Sequence, residues 1–420
     1  MKNTKNKALA VALGLGLGIV GANADESNAD SDAVAEHFKK NYSYNAQVGA
    51  QYTQGYYDSA SGTSNGKNNF QSLYAYLGFE GVEFERLRFG LNLMGSVKLG
   101  KSRAIYDTDM RANAILYQGF IGYTSEYFDL SGGREELDLE WVNDYVEGAR
   151  FAVKIPQGAT EIKGYWFYRQ AVADNNEISQ FEDGKIGHTF IVGVENNAWQ
   201  PLAIQAYFVN VDSATRYPAE GEEGLPSFNG AWVGANLNFG NDLVASSTSL
   251  KYAYLHSKLA NWLDAHFLQV DESLDFAVAD EHQISARLGI MKVFNKKSDS
   301  GEVVPLNALG DQRPLDKGDG YLYNANALTA YVGLGYSFAD YLEVGLIYGN
   351  TSGINGNING GAGKIQPINA IELNITGSYA GAELGISYTK LLGSTPLEGI
   401  DTNRSKLNQD YFEAYLAYNF

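Results

Sequence analysis

The side chains with the most chemical potential lie in one crowded stretch. Gly132 to Lys154 reads GGREELDLEWVNDYVEGARFAVK and holds Glu135, Glu136, Asp138, Glu140, Asp144 and Glu147, with Arg134 and Arg150 at its flanks. So many carboxylates suit a fixed electric field or a cation site. Calcium accepts several carboxylate oxygens in loose geometry. Glu135, Asp138, Glu140 and Asp144 are the candidates for it, although no EF-hand spacing is present. Enzymatic uses find less support. The five histidines, His37, His188, His256, His266 and His282, are scattered and form no HExxH pair. A Ser-His-Asn site using His188 and Asn196 is conceivable, but no GxSxG elbow accompanies it. There is no cysteine, which removes thiol chemistry and a disulfide scaffold and fits export through an oxidising compartment.

The same stretch carries apolar anchors at Leu137, Leu139, Trp141 and Val142. A solvated loop would be richer in Gly, Ser and Asn, as Thr351 to Gly363 is. The segment from about 134 to 146 therefore reads as a loop built to fold against something. Bases that could face it follow from strand alternation. Arg150 and Lys154 share a face with Gly148 and Ala152, opposite Phe151, Val153 and Ile155. Arg88 stands opposite Phe89 and Leu91, and Arg287 opposite Ile284, Ala286, Leu288 and Ile290. If the apolar faces meet lipid, these bases point to a water-filled interior, because a charge at the lipid midplane costs about 2–4 kcal/mol. An acidic loop facing a basic wall would set a transverse field. The plainer alternative is that the charges pair and pin the loop.

The elements that must position these groups are strands. The composition is rich in Tyr, Phe, Gly and Asn and poor in Pro. Phe412, Ala414, Leu416, Tyr418 and Phe420 alternate with Tyr411, Glu413, Tyr415, Ala417 and Asn419, giving an oily and a wet side up to the last residue. Short connections (Thr124 to Glu126, Pro156 to Gly158, Gly240 to Asp242, Ala339-Asp340, Ala380-Gly381) alternate with long polar ones, among them Asp212 to Asn229 and Lys296 to Tyr323. That rhythm belongs to transmembrane β-barrels. Aromatics at the short turns, Tyr123, Tyr127, Phe128, Phe338 and Tyr341, with Tyr418 and Phe420 at the end, read as an interfacial girdle. Sixteen strands can be placed directly. Parity between residues 256 and 325 demands two more within 263–294, one at about 283–294 and one without a clear position. The expected fold is all-β: an antiparallel transmembrane β-barrel of eighteen strands, wide enough for an aqueous channel.

Three segments follow. Lys2, Lys5 and Lys7, the apolar run Ala8 to Val20 and the site Ala22-Asn23-Ala24 read as a secretory signal peptide over 1–24. Residues 25–41 form a short periplasmic segment and 42–420 the barrel. Losing the leader makes the net charge more negative than −18. Such a chain is a poor nucleic-acid binder and draws cations into a cavity lined by its acids.

Leu116 to Lys154 resembles the constriction-loop region of the Campylobacter-type major outer-membrane porins and their Opr-family relatives. The likeness is carried by Gly132-Gly133-Arg134-Glu135-Glu136-Leu137-Asp138-Leu139-Glu140-Trp141, then Asn143-Asp144 and Glu147-Gly148. Ala327 to Gly349 and Tyr411 to Phe420 look alike too, and the layout is similar to OprD-type channels. The resemblance implies an eighteen-stranded trimeric porin of the bacterial outer membrane, with the loop bent into the channel. The aromatic ending at Phe420 separately resembles the signal read by the outer-membrane assembly machinery, and no cofactor is expected beyond the divalent cation, such as calcium, that the acids above could hold. The expected function is passive diffusion of small hydrophilic solutes and ions, mildly cation-preferring and non-enzymatic. The alternatives are a substrate-specific OprD-type channel for carboxylate-bearing solutes, or a surface adhesin or structural barrel.

Overall fold

A computed structural model describes residues 42–58, 65–83, 86–99, 114–137, 139, 145–171, 173, 188–212, 227–241, 243–258, 263–296, 303, 315, 322–358, 361–364, 367–393 and 407–420. The expected leader and the segment 25–41 lie outside them. Twenty strands occur in chain order. The first ten are β1 (Tyr42–Asp58), β2 (Asn65–Glu83), β3 (Leu87–Lys98), β4 (Ala114–Thr124), β5 (Phe128–Glu136), β6 (Tyr145–Ile155), β7 (Thr160–Ala171), β8 (His188–Trp199), β9 (Leu202–Asp212) and β10 (Phe228–Gly240). The others are β11 (Val244–Ser257), β12 (Ala265–Ala279), β13 (His282–Phe294), β14 (Leu328–Phe338), β15 (Leu342–Ser352), β16 (Asn355–Ile358), β17 (Gly361–Lys364), β18 (Ile368–Tyr379), β19 (Ala382–Gly393) and β20 (Leu407–Asn419). Eighteen form one antiparallel sheet. It closes where β1 pairs with β20, from Gln47↔Asn419 to Tyr57↔Gln409. The Phe420 amide adds a bond to the Ala46 carbonyl at 2.9 Å. Closure leaves no sheet edge, which a bilayer requires because lipid offers no partner to a bare backbone group. The small hairpin β16–β17 stands apart, in the connection between β15 and β18.

Alternation sets the two faces. Phe151, Val153 and Ile155 on β6 are exposed outward, as are Val332 and Leu334 on β14, Leu346 on β15 and Leu416 on β20. Their neighbours in sequence point inward. The short turns gather at one end of the cylinder. Left-handed residues make several of them tight, with Glu281 at φ 66°, Ala339 at φ 44° and Ala380 at φ 50°. The aromatics expected there pair off. Tyr123 stacks on Phe128 at 5.4 Å, Phe338 meets Tyr341 at 5.7 Å, and Tyr418 meets Phe420 at 5.0 Å. Tyr127 is also exposed at this end.

The strand without a clear position in the sequence is β12. Its neighbouring acids Asp271 and Glu272 fall on opposite faces and break the oily–wet pattern. A second difference concerns the connection after β13. Lys296 to Tyr323 reads as a polar outer loop, yet Val303, Leu315, Leu322 and Tyr323 are buried. Val303 bridges to Leu263, and its amide donates to the Tyr323 carbonyl at 3.0 Å. Leu315 packs on the inner face of β15 at Gly349, where a Cβ would stand 2.4 Å from Leu315 Cδ1. The described part of this connection turns into the barrel mouth, where its apolar side chains find cover. It shares one apolar cluster with the inward residues Phe167, Ile191, Tyr207, Trp232, Phe267 and Tyr331.

Candidate functional site

The site grows from a place where the wall splits. β4 pairs with β5 from Thr124↔Asp129 to Gly119↔Arg134 and no further, while β4 itself continues to Ala114 along β3. Beyond Arg134, β5 stays paired only with β6, through Glu135↔Val146 and Glu136↔Tyr145. Gly133 sits at the parting point with φ 128°, a conformation L side chains rarely adopt, and a Cβ there would stand 2.3 Å from the Gly119 carbonyl oxygen. The hairpin tip then turns inward. Leu137 and Leu139 are buried in the cluster that holds Phe167, Ile191 and Trp232. Tyr145 closes the split on β4 by packing edge-on against Tyr117 at 4.7 Å. The strand pairing extends to Glu136 and resumes at Tyr145, so Arg134 to Glu136 belong to a strand rather than to a loop beginning at about 134.

Alternation divides the charges of this hairpin. Glu135 is buried on the inner face and pairs with Arg150 at 3.0 Å. Arg150 Nε also donates to Ser131 Oγ at 2.9 Å. Glu135 thus pins the hairpin to the wall instead of facing it across open water. Arg134 and Glu147 lie on the other face, bonded to each other at 3.0 Å. Arg134 Nη1 donates to the Leu116 carbonyl at 3.1 Å, filling the bonding gap left where β5 departs. Glu147 also accepts from Tyr168 Oη at 2.6 Å and pairs with Arg169 at 3.5 Å. These two residues, expected at the constriction, tie the base of the hairpin to its neighbours. Glu136 is exposed at the end of β5. Asp138, Glu140 and Asp144 lie outside the described residues. Of the four acids considered for calcium, Glu135 alone is described, and it already has Arg150 as counter-ion.

The bases read from alternation all fall on the inner face. Arg88 on β3 and Lys154 on β6 sit near the short-turn end, with Lys154 paired to Asp129 at 2.7 Å. Arg88 keeps Nε and Nη2 buried without a hydrogen-bond partner. Arg287 on β13 pairs with Asp271 at 3.3 Å and lies over the Tyr331 ring. Sequence reading passed over further inward bases, among them Lys98 over the Phe70 ring. Lys163 on β7 is held by Glu195 at 2.7 Å, and Glu195 also accepts from Tyr207 Oη. Lys251 lies on β11. The same alternation rule, applied to β7 and β11, would have found both.

It also passed over the acidic counterpart. The inner faces of β15, β18, β19 and β20 present Glu343, Glu372, Glu383 and Glu413, and among their described residues no Lys or Arg points inward. In the closed ring these strands stand across from β6 to β9. Glu343 and Glu383 lie near the short-turn end, at a level similar to Lys154 and Lys163, which have their own acidic partners in Asp129 and Glu195.

A family model described as "Putative outer membrane protein" matches residues 25–215. No curated protein matches the chain. Solved structures do. OccAB4 from Acinetobacter baumannii superposes with a TM-score of 0.66 at 13% identity, covering 90% of this chain and 98% of that one. OpdQ from Pseudomonas aeruginosa gives 0.65 at 12%, covering 92% and 99%. OpdK from Pseudomonas aeruginosa, solved with vanillate, gives 0.63 at 12%, covering 90% and 98%. The fold is the OprD/Occ-type barrel. A closed barrel with an apolar outer belt and aromatic girdles is a lipid-facing surface. Together with the family match, it sets this chain in an outer membrane.

Proposed function

We infer that the chain is a non-enzymatic outer-membrane porin through which small hydrophilic solutes and ions diffuse. The observation that carries this reading is the closed ring of eighteen strands with acids and bases on its inner face. Lumen charge sets ionic preference. Acids outnumber bases on the described inner face, which supports a mild preference for cations. The nearer kinship with Campylobacter-type major porins, a trimeric assembly, recognition of Phe420 by the assembly machinery and a divalent cation at the hairpin tip belong to the same proposal. The test is the purified chain in a planar bilayer under a salt gradient. Stepwise conductance with a reversal potential on the cation side is expected, and a silent bilayer would overturn the reading.

A second reading, a channel selective for carboxylate-bearing solutes, has its own support. The bases Arg150, Lys251 and Arg287 point inward on β6, β11 and β13, and Arg150 and Arg287 keep 32% and 41% of their side chains exposed. Such bases suit a solute with an anionic head, and OpdK, a barrel of this fold, is solved with vanillate. Benzoate is then expected to block the ion current saturably. In Arg287→Gln the half-blocking concentration should rise about tenfold, the worth of one charge-assisted hydrogen bond. Linear, unsaturable behaviour would dismiss this selectivity and leave general diffusion standing.

A further inference from the structure

The outer belt holds one anomaly. Glu272 is the central residue of β12, seven positions from either end. It shares its face with Val270 and Leu268 on one side and Leu274 and Phe276 on the other, so it points outward. Its carboxylate accepts from Ser246 Oγ at 2.7 Å and Thr248 Oγ1 at 2.5 Å, both outward on β11. Elsewhere on the described outer face, charged side chains such as Arg134, Lys292 and Lys390 keep close to the long-loop ends of their strands. Ionisable groups at membrane depth are retained where they meet a partner.

We propose that the outer face of β11 and β12 around Glu272 is a contact between two copies of this chain related by a two-fold axis. The patch is self-complementary. It holds an acceptor with lone pairs to spare and two hydroxyls whose single hydrogens can turn to either carboxylate. An isologous contact needs donor and acceptor in one patch. A head-to-tail contact would need a second, different patch at the same depth, whereas a two-fold contact needs only this one. The contact pairs barrels side by side and is separate from any three-fold association.

The chain has no cysteine, so a single Leu250→Cys variant, one outward step from Thr248, reports on this face alone. A short bis-maleimide added to outer membranes is expected to give a species of twice the chain mass. Adding Glu272→Leu should cut its yield roughly tenfold, the scale set by losing hydrogen bonds to a charged group. Heat-shifted gel migration checks that each variant is a folded barrel. Ser246→Ala with Thr248→Val carries the same expectation should Glu272→Leu fail that check. No dimer, a dimer indifferent to both changes, or an adduct of another mass, meaning a different protein, would each overturn the proposal.

Discussion

Gly133→Val is expected to release the β5–β6 hairpin from the lumen, lowering the thermal midpoint and raising single-channel conductance. Two costs combine. The φ of 128° is strained for any L side chain, and a Cβ would lie 2.3 Å from the Gly119 carbonyl oxygen and 2.9 Å from Phe120 Cα. Backbone strain of this kind costs about 1–3 kcal/mol before the clash is counted. Both obstacles are backbone atoms, so no rotamer change relieves them. The chain can escape by continuing β5 straight along β4, which lifts Leu137 and Leu139 off the inner cluster. Heat-modifiable gel migration and single-channel recording check the two halves of the prediction. Gly345 supplies the comparison: a Cβ there meets nothing within 4 Å, and Gly345→Ala should leave both readouts in place.

Arg150→Glu is the second large effect. It sets a carboxylate beside Glu135, whose side chain is 10% exposed. Removing one partner of a fully buried pair costs about 3–5 kcal/mol. Arg150 is about a third exposed, so solvent screening brings the expectation down to about 1–3 kcal/mol. The hairpin should loosen, with noisier and larger current steps and a reversal potential shifted further toward cations. The exchange Glu135→Arg with Arg150→Glu should recover the thermal midpoint, because the pair is restored with its ends swapped. If the single variant keeps the parental current, the pair does not hold the hairpin.

Much of the barrel is legible because its signal is local. Period-two alternation places the strand at about 283–294, observed as His282–Phe294, and the closing strand, observed as Leu407–Asn419. It also puts Arg88, Arg150, Lys154 and Arg287 on the inner face without any knowledge of neighbours. The rule falters at β12, where Glu272 occupies the lipid side, because a residue that serves an outer contact looks like an error in the pattern. It misjudges Arg134 and Glu147 for another reason. They were grouped with Glu135 by proximity in sequence, whereas consecutive strand residues point to opposite faces.

The sequence by itself determined the period of the strands, their alternating connections and the face on which Arg88, Arg150, Lys154 and Arg287 lie, since each of these depends on neighbours a few residues apart. Only the tertiary structure decided that Glu135 meets Arg150, that Val303, Leu315 and Leu322 after β13 turn inward, and that the inward acids of β15 and β18–β20 share one arc of the ring. Those outcomes depend on which strands become neighbours or opposites once the sheet closes, and closure joins Gln47 to Asn419 across nearly the whole chain.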